Sequence, residues 1–139
     1  MAKPSAELVR GVPLFSDLEA KEADRLASDF IERHFNAGQV IAEEGASGLN
    51  FFVVESGEAT VAVGGAEVKR LHAGDAFGEV ALVDKSARTA TVTAVTEMRC
   101  HALPIWSFRS FAQTHPDVMW KLLELLAERL RETNLRAAQ

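Results

Sequence analysis

Residues 74–94, GDAFGEVALVDKSARTATVTA, contain the side chains best suited to binding an anion. Gly78 lets the backbone approach a ligand closely, and the apolar residues after Glu79 are enough for about one helical turn, whose unpaired amides attract an anion. Arg88 follows, and a guanidinium against an apolar wall needs an anionic partner. A phosphate supplies it through a bidentate contact, to which the Thr89 hydroxyl can add. These residues leave a second interpretation open, an internal ion pair between Glu79 and Arg88 without any ligand.

Short segments with a period of two surround this stretch and predict a β-rich fold. Seven or eight of them follow from Glu32 onwards, separated by glycine turns, which is typical of a sandwich or a barrel. In NFFVVES, at 50–56, apolar side chains occupy both faces, which predicts a small closed barrel with helices outside. We expect one mainly β domain with flanking helices over residues 1–139. The expected parts are N-terminal helices at about 5–30, the barrel at about 32–103 and C-terminal helices at about 104–136.

The last segment of the chain, HPDVMWKLLELLAERLRETNLRAAQ, predicts a helix of about 20 residues, or roughly 30 Å. A helix that only packed on a barrel of this size would be shorter. The sequence therefore favours a helix that is shared with a second subunit, as in a short coiled coil. The alternative is that the whole apolar stripe packs on the barrel. The apolar residues that fall at helical spacing are Met119, Leu122, Leu123, Leu126 and Leu130.

The composition argues against several classes of protein. With 15 Lys and Arg against 20 Asp and Glu, the formal net charge is -5 at pH 7, which disfavours nonspecific nucleic-acid binding but allows a local positive pocket. The single cysteine, Cys100, cannot form an intramolecular disulfide, and we expect it to be a small buried strand residue. Neither a secretion signal nor a run of about 18 apolar residues is present. We therefore expect a cytoplasmic protein that has no membrane partner.

The four histidines do not form a catalytic or metal-binding pattern. They are scattered singly among strands and loops, without the spacing of metal ligands, and we expect each to be structural. They are His34, His72, His101 and His115. No nucleophile and base stand in a recognisable arrangement, and the carboxylates are spread over helix faces. We therefore expect no enzymatic activity, and neither the metal nor the chemistry of a cupin-like barrel.

Residues 74–94 resemble the phosphate-binding cassette of cyclic nucleotide-binding domains, where Gly-Glu, a short apolar helix and an arginine recur at this spacing. Upstream, VPLFSDL, FNAGQVIAEEGASGLNFFVVESGEATV and HAGDAFGE are similar to the glycine and hydrophobic pattern of the family. Downstream, HPDVMWKLLELLAERLRETN is similar to the helix that joins the sensor barrel to the DNA-binding half in the cAMP-receptor-protein and FNR group of bacterial regulators. The resemblance covers nearly all of residues 8–135. It implies the jelly roll of that family, a double-stranded β-helix.

The resemblance implies a role for each polar residue of the cassette. Arg88, with the backbone around Ala81 and Thr89, would hold the cyclic phosphate. Glu79, with the backbone of Gly78, would accept a hydrogen bond from the ribose 2′-hydroxyl. Both roles agree with the physical chemistry, since a fixed cation suits a monoanion and a carboxylate suits a hydroxyl donor.

The resemblance also implies a pocket for the base. Val61 and Val68 match barrel positions that flank it. Thr133, with Asn134, matches the place where the bacterial group brings a hydroxyl from the long helix to the base, which would make this helix a lid. The bacterial-type helix favours cAMP. Thr89 keeps cGMP open, because a hydroxyl at this position in related kinases and channels contacts the guanine amino group.

The predicted function is a sensor that binds a cyclic nucleotide and passes a conformational change to its C-terminal helix. The nucleotide is the expected ligand, with no further cofactor, and the helix would form a homodimer or contact an effector protein. The sequence ends at Gln139, soon after Thr133, and shows no recognition helix, so we expect no DNA binding by these residues. The alternative is a scaffold that keeps the fold, pairs Glu79 with Arg88, and serves only to dimerise or dock.

Overall fold

Two antiparallel sheets of four strands each form the centre of the molecule in the computed structural model, which describes residues 2–46, 48–84 and 88–137. The strand order is β1-β8-β3-β6 in the first sheet and β2-β7-β4-β5 in the second. Of the strands in the described part of the chain, only β4 and β5 are neighbours both in sequence and in space, as in a jelly roll. The strands are β1 (Ile31–Phe35), β2 (Val40–Ala42), β3 (Asn50–Ser56), β4 (Ala59–Val63), β5 (Ala66–Leu71), β6 (Ala76–Phe77), β7 (Thr91–Ala94) and β8 (Met98–Pro104).

The predicted fold class, mainly β with flanking helices, is confirmed, but the predicted closure of the barrel is wrong. Among the described strands, no hydrogen-bonded pairing joins one sheet to the other. The two sheets instead pack face to face over a core to which all eight strands contribute. Phe52 and Val54 of β3 belong to this core, together with Cys100, whose burial raises the pKa of its thiol to about 11.

A second core lies on the opposite face of the first sheet, where the helices pack. Phe51 and Val53 of β3 point into it, which explains why this strand is apolar on both faces. Phe15 meets Phe51 edge to face, with ring centroids 6.0 Å apart, and lies 6.4 Å from Phe108. The helices are α1 (Ala6–Arg10), α2 (Ala20–Ala27), α3 (Ile105–Thr114) and α4 (Pro116–Ala137), with a 3-10 turn at Pro13–Phe15.

The corner between α3 and α4 is tied to α2 by a histidine. His115 stacks on Phe111 with ring centroids 3.9 Å apart, and its Nε2 lies 2.8 Å from the carboxylate of Glu22. Glu22 also belongs to the capping box at the start of α2. Its pKa is lowered, first by the hydrogen bond from the Glu19 backbone and then by that from His115. The start of α4 is therefore held in place by the N-terminal helices.

The 22 residues of α4 divide their apolar side chains between two faces. Val118 and Leu122 are buried against the body of the molecule, and Leu125 is partly buried there. A second row is exposed. It consists of Trp120, Leu123 and Leu130, which are 66%, 52% and 61% exposed. Part of the apolar stripe therefore packs on the body and part faces away from it. No helix in the described part of the chain is long and apolar enough to cross a membrane.

Candidate functional site

The backbone of Arg88 is fixed against the turn that follows β2. Its amide donates to the Ala46 carbonyl at 2.7 Å, and its carbonyl accepts from the Gly45 amide at 2.9 Å. This pairing brings the part of the 74–94 stretch that precedes β7 beside a glycine-containing turn some 40 residues earlier in the chain. Lys85–Ala87, which belong to the same stretch, lie outside the described residues.

The Arg88 guanidinium lies in a close-fitting channel between backbone and an aromatic ring. Its Nη2 donates to the Asn50 carbonyl at 3.0 Å, and its Cζ lies 5.9 Å from the centroid of the Phe52 ring. A Cβ atom added at Gly48 would overlap the guanidinium, and one at Gly78 would lie 2.6 Å from Nη1. A side chain at either position would therefore displace the Arg88 guanidinium from this place. Gly78 also has a φ of 89°, which a side chain would strain.

The guanidinium has no carboxylate within ion-pair distance among the described residues. Burial lowers the pKa of Arg88, and the nearby charge of Glu79 partly opposes this effect. An arginine nevertheless remains protonated in a protein. The site thus holds a half-buried cation whose described hydrogen bond is to a neutral carbonyl, an arrangement that favours an added anion.

Glu79 is positioned by a left-handed glycine and a short turn. Gly78 caps a 3-10 helix at Glu79–Leu82, so the single turn predicted from the apolar run is present. The Glu79 carboxylate forms an ion pair with Arg129 of α4, and not with Arg88. Its side chain is only 16% exposed, whereas that of Arg129 is 53% exposed. The predicted alternative of a Glu79–Arg88 pair is therefore not the pairing found in the structure.

A cavity of about 100 Å³ opens between these groups and the inner face of the second sheet. The charged side chains that line it are three cations, Lys69, Arg88 and Arg129, and one carboxylate, Glu79. In a chain with a net charge of -5, this is a local positive pocket. Apart from Gly78 and Thr89, the rest of the wall is formed by apolar side chains: Ala42, Val61, Leu71, Ala76, Phe77, Ala90 and Val92. The chemistry of these walls suits a ligand that has an anionic group and an apolar portion.

Most of the predicted phosphate and ribose residues meet at this cavity. Gly78, Glu79, Arg88 and Thr89 line it, and they also line a smaller cavity next to it. Ala81 lines only the smaller one, and its amide donates to the Gly78 carbonyl at 3.1 Å. The residues predicted to hold the phosphate and the ribose therefore lie beside one another around these two cavities.

The four predicted base-pocket residues are divided. Val61 lines the cavity, whereas Val68 is 56% exposed and does not line it. Thr133 and Asn134 are exposed near the end of α4 and do not line the cavity, and the Thr133 hydroxyl donates to the Arg129 carbonyl at 3.0 Å. Contacts from Thr133, Asn134 and Val68 to a base stay predictions.

Three residues of the site were missed by the sequence analysis. Gly48 lies in one of the glycine turns that separate the predicted strands, and nothing local distinguishes it, because its role depends on Arg88. Arg129 lies one turn before Thr133 on α4, so helical spacing from the predicted contact would have found it. Lys69 is next to Val68 on β5, and alternation back from the buried Leu71 would have placed it on the inner face.

Comparison with known protein families agrees with this geometry. The model of the family described as "Cyclic nucleotide-binding domain" matches residues 32–115, which is more than half of the chain. The chain belongs to the cyclic nucleotide-binding domain family. The match includes both sheets from β1 to β8 and the whole 74–94 stretch. The family predicted from the sequence is therefore confirmed.

Individual relatives of this cyclic nucleotide-binding domain include eukaryotic kinase proteins and a bacterial regulator. It is 38% identical over 98 residues to the cAMP-dependent protein kinase regulatory subunit of Eremothecium gossypii, covering 70% of this chain and 21% of that protein. It is 35% identical over 88 residues to the cGMP-dependent protein kinase of Toxoplasma gondii, covering 63% of this chain and 9% of the kinase. The chain thus spans only a small part of each of these relatives.

Among solved structures, the domain is similar to the Thermus thermophilus catabolite activator protein. The TM-score is 0.82 at 33% sequence identity, and the alignment covers 91% of this chain and 62% of that protein. The similarity extends over most of the present chain, including regions outside the 32–115 family match.

The ion pair between Glu79 and Arg129 generates a stability prediction. We expect a double-mutant cycle of Glu79→Ala and Arg129→Ala, measured by urea unfolding, to give a favourable coupling of about 0.2–1 kcal/mol, since the arginine is half exposed. The same cycle between Glu79 and Arg70, which pairs with other carboxylates, should give none. Additive effects of the first two substitutions would show that the contact does not couple α4 to the turn.

Proposed function

We propose that this domain is a sensor that binds a cyclic nucleotide, cAMP as the sequence predicts, in the cavity beside Arg88. The observation that carries the proposal is the half-buried Arg88 guanidinium, which faces a cavity and has no carboxylate partner among the described residues. A cyclic phosphate is a monoanion that would supply the missing charge by a bidentate contact. The family and the names of the kinase relatives support the same ligand class.

The ribose would bind at Glu79, whose carboxylate accepts hydrogen bonds but donates none. This carboxylate is also the partner of Arg129 in α4. A ligand hydroxyl that donates to Glu79 therefore changes the environment of the same group that holds the helix. We propose that α4 responds to the ligand through this shared carboxylate, as one element of a two-state switch.

A ligand-free scaffold is the second candidate function. The observation that favours it is that Glu79 already has a cationic partner in Arg129, so the carboxylate does not need a ligand. The scaffold does not account for Arg88, because desolvating a guanidinium without a counter-charge is costly. Neither candidate function includes catalysis. The absence of enzymatic activity and a cytoplasmic location stay predictions.

Isothermal titration with cAMP, cGMP and 5′-AMP tests the proposal directly. We expect saturable binding of a cyclic nucleotide and little response to 5′-AMP. In Arg88→Ala, loss of one partner of a buried charge pair should cost about 2–5 kcal/mol, which is about 30-fold to several thousand-fold in affinity. Protein freed of copurified nucleotide is required, since bound nucleotide would hide the signal.

The matched control is Arg70→Ala on β5. Arg70 is about half exposed and pairs with Glu67 at 3.2 Å and Glu58 at 3.7 Å, so its loss removes the same charge without touching the cavity. It should bind the nucleotide as the wild type does. Absence of binding to all three nucleotides in the wild type would favour the scaffold, and equal binding by wild type and Arg88→Ala would refute the phosphate assignment.

The ribose contact predicts a preference for a 2′-hydroxyl. A hydrogen bond to a charged group contributes about 1.5–3 kcal/mol, so the wild type should bind cAMP at least about tenfold more tightly than 2′-deoxy-cAMP. In Glu79→Ala this ratio should fall towards unity while the affinity for the deoxy analogue changes less. Competition titration with the two nucleotides measures the ratio. An unchanged ratio in the variant would contradict the assignment of Glu79 to the ribose.

The exposed row of α4 supports the predicted homodimer. Trp120, Leu123 and Leu130 stand at spacings of three and seven, with Ala127 between them, as in the seam of a two-helix coiled coil. We propose that two copies meet along this row. An effector protein is the alternative occupant of the same face, and the oligomeric state separates the two.

Sedimentation velocity tests this homodimer. We expect the wild type to sediment as a dimer and the double variant Leu123→Glu, Leu130→Glu to sediment as a monomer, because the seam then carries like charges. Val68→Glu is the matched control, since Val68 is also exposed but lies on β5. A wild type that remains monomeric at high protein concentration would leave the row to an effector protein.

A further inference from the structure

His115 forms the junction between α3 and α4, and it does not line the cavity beside Arg88. Its amide donates to the Ala112 carbonyl at the end of α3, at 3.2 Å. Its carbonyl accepts from the Val118 amide in the first turn of α4, at 3.0 Å. A shift of this one residue therefore moves the end of one helix together with the start of the other.

Both ring nitrogens of His115 face oxygen atoms that can only accept a hydrogen bond. Nε2 lies 2.8 Å from a carboxylate oxygen of Glu22 in α2, and Nδ1 lies 3.0 Å from the Phe111 carbonyl in α3. Each of these contacts therefore needs a hydrogen on the ring nitrogen. A neutral imidazole carries one such hydrogen, whereas an imidazolium carries two. Only the protonated ring can donate to both oxygens.

The hydroxyl of Thr114 does not remove this mismatch for the neutral ring. It lies 3.0 Å from Nδ1 of His115, and it also donates to the Phe111 carbonyl at 3.1 Å. A hydroxyl has a single hydrogen, so it can serve the carbonyl or a deprotonated Nδ1, but not both. The end of α3 also carries the negative end of the helix dipole, which favours a cation at this position.

The other charged groups near His115 line a cavity of about 280 Å³ between the N-terminal helices and the start of α4. They are Glu22 of α2, Asp17 ahead of α2, and Asp117 and Lys121 of α4. The Lys121 ammonium lies 3.6 Å from the Asp17 carboxylate, so these two charges offset each other. Two carboxylates, Glu22 and Asp117, are then left beside the one imidazole in this lining.

The carboxylate of Glu22 is fixed in place for its contact with the ring. Its other oxygen accepts from the Glu19 amide at 3.3 Å, in the capping box of α2. The hydrogen bonds from Glu19 and His115 lower the pKa of Glu22, and the charge of Arg25 adds a smaller effect. The carboxylate therefore stays ionised throughout the range in which histidines usually titrate, about pH 5–8.

We infer that His115 is a pH-sensitive lock, whose protonated ring ties the start of α2 to the junction of α3 and α4. The neutral ring keeps the contact with Glu22 and gives up the donation to the Phe111 carbonyl. Because the complete contact is made by the protonated form, its contribution to stability is present at the acid end of the range and is lost as the pH rises. The hold on the start of α4 therefore weakens between about pH 6 and about pH 8.

Titration of the histidine rings by NMR, on the whole chain without nucleotide, tests this lock. The His115 signal is assigned by its contacts with the stacked Phe111 ring. We expect Glu22→Gln to lower the titration midpoint of His115 by about 0.5–1 pH unit, because it removes the charge that favours the imidazolium. Asp24→Asn is the matched control. Asp24 is also on α2, but it pairs with Lys3 at 3.1 Å and does not line the cavity, so the midpoint should stay unchanged.

Urea unfolding measures the effect on stability. In His115→Gln the side chain keeps one donor but cannot become charged. The ratio of the unfolding constants of His115→Gln and wild type should be about threefold larger at about pH 5.5 than at about pH 8, because only the wild type gains the protonated contact. In His72→Gln this ratio should change less, since the His72 side chain is 61% exposed.

Hydrogen exchange at residues 118–122 locates the effect. After correction for the intrinsic effect of pH on exchange, protection should fall as the pH rises in the wild type and in His72→Gln, and stay constant in His115→Gln. A His115 midpoint that does not move in Glu22→Gln would overturn the lock, and so would the same response to pH in the wild type and His115→Gln. The midpoint decides even if His115→Gln does not fold, and none of these results depends on which ligand the Arg88 cavity binds.

Discussion

The half-buried charge of Arg88 is the constraint on which the rest of this site depends. A guanidinium beside a phenylalanine ring, with a neutral carbonyl as its described hydrogen-bond partner, loses hydration without gaining a counter-charge. The fold tolerates it by giving it a close-fitting position, for which Gly48 and Gly78 supply the space. The arginine is therefore held in one orientation before any ligand arrives, and the cost of ordering it does not have to be met on binding.

The jelly roll explains how such a charge can be held at the edge of an apolar core. The 74–94 stretch leaves the first sheet at β6 and enters the second at β7, so it crosses between the two layers. Its 3-10 turn lies at this crossing, where it also contacts β3 and α3. The polar groups of the turn thus lie close to the buried side chains of both sheets, and they line the smaller cavity.

The long helix joins the same network at one point, the carboxylate of Glu79. The first half of α4 is held by Val118 and Leu122, but residues 127–135 are exposed, and Arg129 among them pairs with Glu79. Few buried contacts hold that half, and segments with few buried contacts are the ones that move at low cost in free energy. Glu79, the proposed ribose contact, therefore meets the helix where few buried contacts constrain it.

The sequence by itself determined the fold class and the cluster of Gly78, Glu79, Arg88 and Thr89, because these depend on patterns within short segments: alternation, glycine turns and one distinctive stretch. The long final helix was predictable for the same reason. The open sandwich in place of a closed barrel was not, since local periodicity is the same in both arrangements. Gly48 was recognisable only as a turn residue, because what demands a glycine there is an arginine 40 positions later.

Only the tertiary structure decided which charges meet. Glu79 and Arg88 are close in sequence, yet the carboxylate pairs with Arg129, 50 residues away, because the folding of α4 across the sheets brings that arginine to the turn. The strand β5 likewise places Lys69, and not Val68, on the inner face with Leu71, whereas the resemblance had pointed to Val68. Sequence spacing predicts neighbours along one element, whereas contacts between elements depend on register and packing, and a shift of one residue reverses the face that a side chain occupies.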